Sequence, residues 1–95
     1  MQEDTDKEFT DNKKRELLLA LGEIIYEERK KVNKGINLFS FEYDIGNGIL
    51  SKLEKGKADS RVTTLWKLAN AFGYTCLDFI RMVEEKLPKD FNFYS

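Results

Sequence analysis

The stretch INLFSFEYDIGNGILSKLEKGK, residues 36–57, decides the fold. Phe39, Tyr43, Ile45, Leu50 and Leu53 recur at helical spacings on either side of the break DIGNG, residues 44–48. Four of those five break residues are Gly, Asp or Asn, which form turns and tolerate positive φ. A helix does not run through them cheaply, because each interior Gly costs about 1 kcal/mol relative to Ala. The pattern predicts a short helix, a tight turn and a second helix over residues 47–55, ended by Gly56 just past the cap. Two short helices joined steeply by a turn of a few residues form a helix-turn-helix unit.

Upstream, Leu17, Leu21, Ile24 and Ile25 fall on one face with Leu18 alongside, which predicts a helix over residues 13–32. Asn33, Lys34 and Gly35 supply its stop. Asn37 is placed to cap the next helix, which runs to about residue 43, and Ser40 offers a short side chain for a close crossing. Downstream, Ser60 is expected as the N-cap of a helix over residues 61–72. Val62, Leu65, Trp66, Ala69 and Phe72 supply its apolar stripe, an expectation that buries Trp66. Thr75 and Asp78 form a capping box for a fifth helix, with Tyr74 and Phe79 spaced for a hydrophobic staple. Its inner stripe is Cys76, Phe79, Ile80, Val83 and Leu87, and Pro88 follows the stop. The expected class is all-α, a compact five-helix bundle. A flexible, acidic N-terminal tail (residues 1–12) precedes the domain at 13–87, and an aromatic tail (residues 88–95) follows it.

Composition narrows the functional classes. With 95 residues, 41% hydrophobic and 35% charged, the chain supports one modest core. No apolar run approaches the ~20 residues of a membrane span, and the acidic start MQEDTDKEF is unlike a signal peptide. Cys76 is the single cysteine, which excludes an internal disulfide and a zinc site built on thiolates, so the cytoplasm is the expected compartment. Histidine is absent, removing the commonest general base and metal ligand. Carboxylate neighbours such as Glu27 and Glu28 point about 100° apart on a helix and make no paired site. Neither an enzyme nor a cofactor nor a metal is expected. The net charge is −1, yet residues 34–67 carry six basic side chains against four acidic ones, leaving that segment +2 and the remainder −3.

Three separated motifs fall in register: LGEIIYEER (21–29), LSKLEKGK (50–57) and TLWKLANAFGY (64–74). Together they resemble the phage-repressor/Cro-like, or XRE-type, helix-turn-helix family over residues 17–87. The resemblance implies a lambda-repressor-like bundle of five helices that binds double-stranded operator DNA as a homodimer. It also implies a buried pair between a helix-1 Arg and a Glu closing the recognition helix. Arg29 and Glu54, 25 residues apart, stand at those places. Departures from the family pattern are Ile36 where many members carry a phosphate-contacting Gln, with Asn37 beside it, and Asp44 where Gly is common in the turn. The implied function is a sequence-specific, repressor-like transcriptional regulator that lays the helix at 47–55 in the major groove.

Within that function Asn47 suits adenine, and Lys52 suits guanine O6 and N7. Ser51 is a base or phosphate contact, while Lys55 and Lys57 beside Gly56 are phosphate contacts. Gly46 and Gly48 have two readings: they let the helix N-terminus approach DNA closely, or they mark a recognition helix that has lost its base-reading side chains. Asn37 joins this set, with Lys34 and Arg61 as further candidates. Leu77, Met82, Phe91, Phe93 and Tyr94 are left over for a dimer interface, unless the tail folds back over its own core. The competing function is a protein-interaction module or antitoxin-type protein that acts mainly through a protein partner, favoured by the acidic balance and the aromatic tail.

Overall fold

The computed structural model describes the backbone of residues 2–95 and the side chains of residues 10–95. Among these, φ is positive at Asn33, Asp44, Gly56 and Gly73, and each of the four falls between two successive helices. The helices are α1 (Gln2–Lys31), α2 (Ile36–Glu42), α3 (Asn47–Glu54), α4 (Val62–Ala71) and α5 (Cys76–Glu85). No strand occurs among the described residues, so the fold is the expected all-α bundle with α2 and α3 as its helix-turn-helix.

The first helix begins at Gln2, whereas the sequence predicts a tail through residue 12. Residues 2–12 contain neither Gly nor Pro. Extending a helix that already exists adds one hydrogen bond per residue fixed and avoids the cost of a new nucleus.

The core gathers Leu21, Ile24 and Ile25 of α1, Phe39 of α2, Leu50 and Leu53 of α3, Leu68 and Ala69 of α4, and Phe79 and Val83 of α5. Phe39 stacks on Phe72 at 5.2 Å between ring centroids, and Phe72 lies 6.0 Å from Phe79, so one aromatic row joins α2, α4 and α5. Ser40 is buried beside this row, and its hydroxyl has no hydrogen-bond partner among the described residues.

Helix α4 is rotated from its expected orientation. Leu68 and Ala69 are fully buried with Leu65 and Phe72 packed beside them, while Trp66 is 55% exposed. Apolar residues at 62, 65, 66, 68, 69 and 72 make two overlapping helical stripes. Spacing alone does not choose between the stripes; the fit of Leu68 into the core does. The same helix has Arg61 at its N-cap without a side-chain bond. Ser60 Oγ instead donates to the Arg61 carbonyl. Two positions in α5 also differ: Ile80 is partly exposed, and Met82 packs against the core. The Thr75 hydroxyl accepts from the Asp78 N–H at 3.1 Å, the capping bond that the sequence predicts.

Two glycines bring α1 directly onto the end of α3. A Cβ at Gly22 would lie 2.5 Å from the Leu53 carbonyl oxygen and 2.7 Å from that of Glu54. At Gly56, φ is +70° and a Cβ would lie 2.8 Å from Leu19 Cδ2. The Gly56 N–H donates to the Leu53 carbonyl and the Lys57 N–H to that of Lys52, a Schellman ending that satisfies two terminal carbonyls of α3.

Candidate nucleic-acid interface

The second helix of the motif presents two unlike faces. Leu50 and Leu53 are buried, whereas Asn47, Gly48, Ile49 and Lys52 are exposed and Ser51 is half-buried. Gly46 sits at the N-cap without a side-chain bond, and the first turn carries no acidic residue. The first N–H groups of α3 therefore lack a side-chain cap and carry the positive end of the helix dipole.

Asn37 is not the cap of α2; Gly35 occupies that position, also without a side-chain bond. Asn37 lies within α2, and its Oδ1 accepts a hydrogen bond from Asn47 Nδ2. This bond holds the first residue of α3 against the first turn of α2. An amide nitrogen carries two hydrogens, so Asn47 keeps one N–H and its oxygen for an outside partner.

The far end of α3 is clamped. Arg29 Nε donates to Glu54 Oε2 at 2.6 Å and Nη2 donates to Oε1 at 2.9 Å, a bidentate pair. The Arg29 Nη1 donates to the Lys34 carbonyl at 2.9 Å, which ties in the loop before α2. The two side chains are only 11% and 8% exposed, and the bond to Glu54 holds the Arg29 pKa above its ordinary value.

Around this helix the cations divide into two sets. Lys34 donates to Glu42 at 2.6 Å and Lys67 to the Asp44 carbonyl at 2.9 Å, so both are engaged within the fold. Lys52, Lys55 and Lys57 are exposed and make no ion pair among the described residues. Arg61 is exposed at the start of α4.

Sequence reasoning overlooked a second buried carboxylate. Glu28 is 4% exposed and accepts from Tyr74 Oη at 2.7 Å and from Lys31 Nζ at 2.7 Å. The bond to Glu28 raises the Tyr74 pKa, and it anchors the loop between α4 and α5 on α1. Local pattern does not reveal a contact that spans 46 residues. Gly22 was likewise overlooked as an interface residue, although a lone Gly inside a helical pattern is the signal for close packing.

At the other end of the chain, Leu77 is 70% and Tyr94 90% exposed. Phe91 and Phe93 are half-buried and meet edge to face at 5.7 Å, with Lys13 Nζ 5.2 Å from the Phe91 centroid. Met82 is half-buried and packs against the core. No cluster of His, Cys, Asp or Glu suited to a metal occurs among the described residues, and no described helix is long and apolar enough to cross a membrane.

No curated protein and no solved structure is significantly similar to the chain. Residues 25–79, more than half of the chain and spanning the whole of α2, α3 and α4, match the helix-turn-helix family HTH_3. With its α2–α3 unit, the clamp on the end of α3 and this match, the chain belongs to the Cro/C1-type (XRE) helix-turn-helix family of DNA-binding proteins.

Proposed function

We propose that the protein is a sequence-specific, repressor-like transcriptional regulator that inserts α3 into the major groove of double-stranded DNA. One observation carries this reading: α3 turns an uncapped N-terminus and a polar edge outward, beside three lysines that have no internal ion pair. Asn47, braced by Asn37, reads adenine through its remaining N–H and its oxygen. Lys52 reaches guanine, and Ser51 bonds a base edge or phosphate. Ile49, 55% exposed on the same turn, offers an apolar contact for a thymine methyl. Gly46 and Gly48 keep side chains out of the way of the helix N–H groups, while Lys55 and Lys57 bind phosphates.

A homodimer fits this function, because a two-fold axis sets two recognition helices about 34 Å apart on a palindromic site. The exposed Leu77 and Tyr94 are the surface for it, with Phe93 at its margin. A role on DNA places the protein in the cytoplasm or nucleoid.

Fluorescence anisotropy with duplex DNA over a salt series tests the reading. Two phosphate-binding lysines per chain predict that log K falls with log salt at a slope of about −2 per chain or steeper. A flat, weak response refutes it.

One observation favours the second reading, a module for a protein partner. Phe41 is 86% exposed on α2 with Leu38, 50% exposed, one turn before it. Such adjacent apolar side chains on a helix surface suit a protein contact more than a DNA backbone.

A further inference from the structure

The dipeptide Asn47–Gly48 opens α3 and joins features that no other asparagine in the chain combines. Asn47 is exposed, and it alone among the asparagines is followed by Gly; the others precede Lys, Leu, Ala or Phe. An asparagine carboxamide is an electrophile that its own chain can attack, through the backbone nitrogen of the next residue. A side chain on that next residue crowds the attack, and Gly has none. The space beside Gly48 is open as well, since a Cβ there would meet nothing within 4 Å. A regular helix keeps the attacking nitrogen away from the carboxamide, so the stability of the first turn of α3 sets the rate. The hydrogen-bond ladder of α3 begins with the Leu50 N–H on the Gly46 carbonyl, and the Gly48 N–H has no partner among the described residues. Gly46 caps the helix without a side-chain bond, and Gly48 is itself a poor helix former. Such a turn opens locally at low cost. The bond from Asn47 Nδ2 to Asn37 Oδ1 acts the other way, because it ties the carboxamide to α2.

We propose that Asn47–Gly48 is a site of spontaneous deamidation that makes the reading edge of α3 anionic. The Gly48 nitrogen bonds to Asn47 Cγ and gives up its proton, the Cγ–Nδ2 bond breaks, and ammonia leaves behind a five-membered succinimide. Water then opens either carbonyl of the ring, giving aspartate or isoaspartate, with no oxidant or other reactant. The consequence for binding rests on the DNA reading of α3. A carboxylate only accepts hydrogen bonds, so it does not donate to adenine N7, and its charge faces the phosphates that Lys55 and Lys57 attract. At the start of α3 the same charge suits the helix dipole, so the fold survives the change.

Ageing the full chain at neutral pH and body temperature, followed by intact mass and peptide mapping, tests the site. Conversion should gather at Asn47, with ammonia lost and water gained. Gly48→Ala should suppress it over the same period, and Asn37→Ala should speed it about fivefold, the factor that one net hydrogen bond supplies. No conversion at Asn47, or equal conversion at the asparagines followed by Lys and Phe, would overturn the proposal. Anisotropy with random-sequence duplex DNA reads the consequence. Aged protein should lose binding in proportion to its converted fraction, and Asn47→Asp should bind about tenfold more weakly than the parent with an undiminished Tm. Full binding by the aspartate variant would overturn the switch. A fresh parent that ignores duplex DNA would instead refute the DNA reading, and the mass result alone then judges the site.

Discussion

Replacing Gly22 with alanine tests how α3 is held. The new Cβ would stand 2.5 Å from the Leu53 carbonyl oxygen, 2.7 Å from the Glu54 oxygen and 3.0 Å from the Glu54 carbonyl carbon. A carbon and a carbonyl oxygen rest at about 3.3 Å or more, so the end of α3 and α1 must separate by roughly 0.8 Å. These are backbone atoms and no side-chain rotation relieves the contact. Retreat of α3 is opposed by the bidentate bond of Arg29 to Glu54 and by Leu19 packed on Gly56. Overpacking costs about 1–3 kcal/mol, and because the clashing atoms are backbone the upper part, about 2–3 kcal/mol, applies here; the better helix propensity of Ala returns about 1 kcal/mol. The expected result is a net loss of about 1–2 kcal/mol, read as a fall in Tm of roughly 4–15 °C for a domain of this size. Thermal and urea unfolding followed by circular dichroism measure it. Gly48→Ala is the contrast: its Cβ meets nothing within 4 Å, so propensity alone should leave that variant as stable or more stable. A Gly22→Ala protein as stable as the parent, or more stable, would refute the close approach of α1 to α3.

Glu54→Ala leaves the Arg29 guanidinium uncompensated in a site only 11% exposed and should cost about 3–5 kcal/mol in urea unfolding; a loss under about 1 kcal/mol would show the pair to be dispensable. Lys55→Ala and Lys57→Ala should each weaken binding to all duplexes alike and reduce the salt slope by about 1, whereas Asn47→Ala should cost ~1–3 kcal/mol on the preferred sequence only. Uniform losses for all three variants on specific and random DNA would refute those roles. Asp44→Gly should stabilise the protein by up to about 1 kcal/mol, because Asp44 sits at φ +54° and its side-chain ion pair with Lys67 is exposed; a destabilised variant would show that the aspartate side chain matters to the turn. Hydrogen bonding to Lys86 holds the Glu27 pKa below its ordinary 4.5, so the stability from this contact is present at neutral pH and fades as pH falls below that value. In an NMR titration, Lys86→Met should return the Glu27 midpoint upward, and an unmoved midpoint would refute the assignment.

The helix breaks were legible because they are local. Asp44, Gly56 and Gly73 tolerate positive φ, and the chain turns at each of them. Apolar spacing likewise marked the inner faces of α1 and α3, since Ile24, Ile25, Leu50 and Leu53 admit only one buried stripe in their helices. The placement of Arg29 opposite Glu54 came from the family resemblance rather than from the residues themselves; nothing in their own neighbourhood distinguishes them from other charged residues.

Tertiary structure decided the rest. In α4 two apolar stripes satisfy the same periodicity, and the core accepts Leu68 and leaves Trp66 in solvent. Asn37 is a good capping residue by type, but the start of α3 comes close enough to take its side chain. Glu28 and Tyr74 are each unremarkable in sequence, and they bond only after α1 and the loop before α5 have packed. Local sequence determines where the backbone can be helical and where it must turn, because propensity and φ preferences act over a few residues. Which side chains face one another across 20 or more residues depends on the fit between completed helices, and a linear pattern carries no record of that fit.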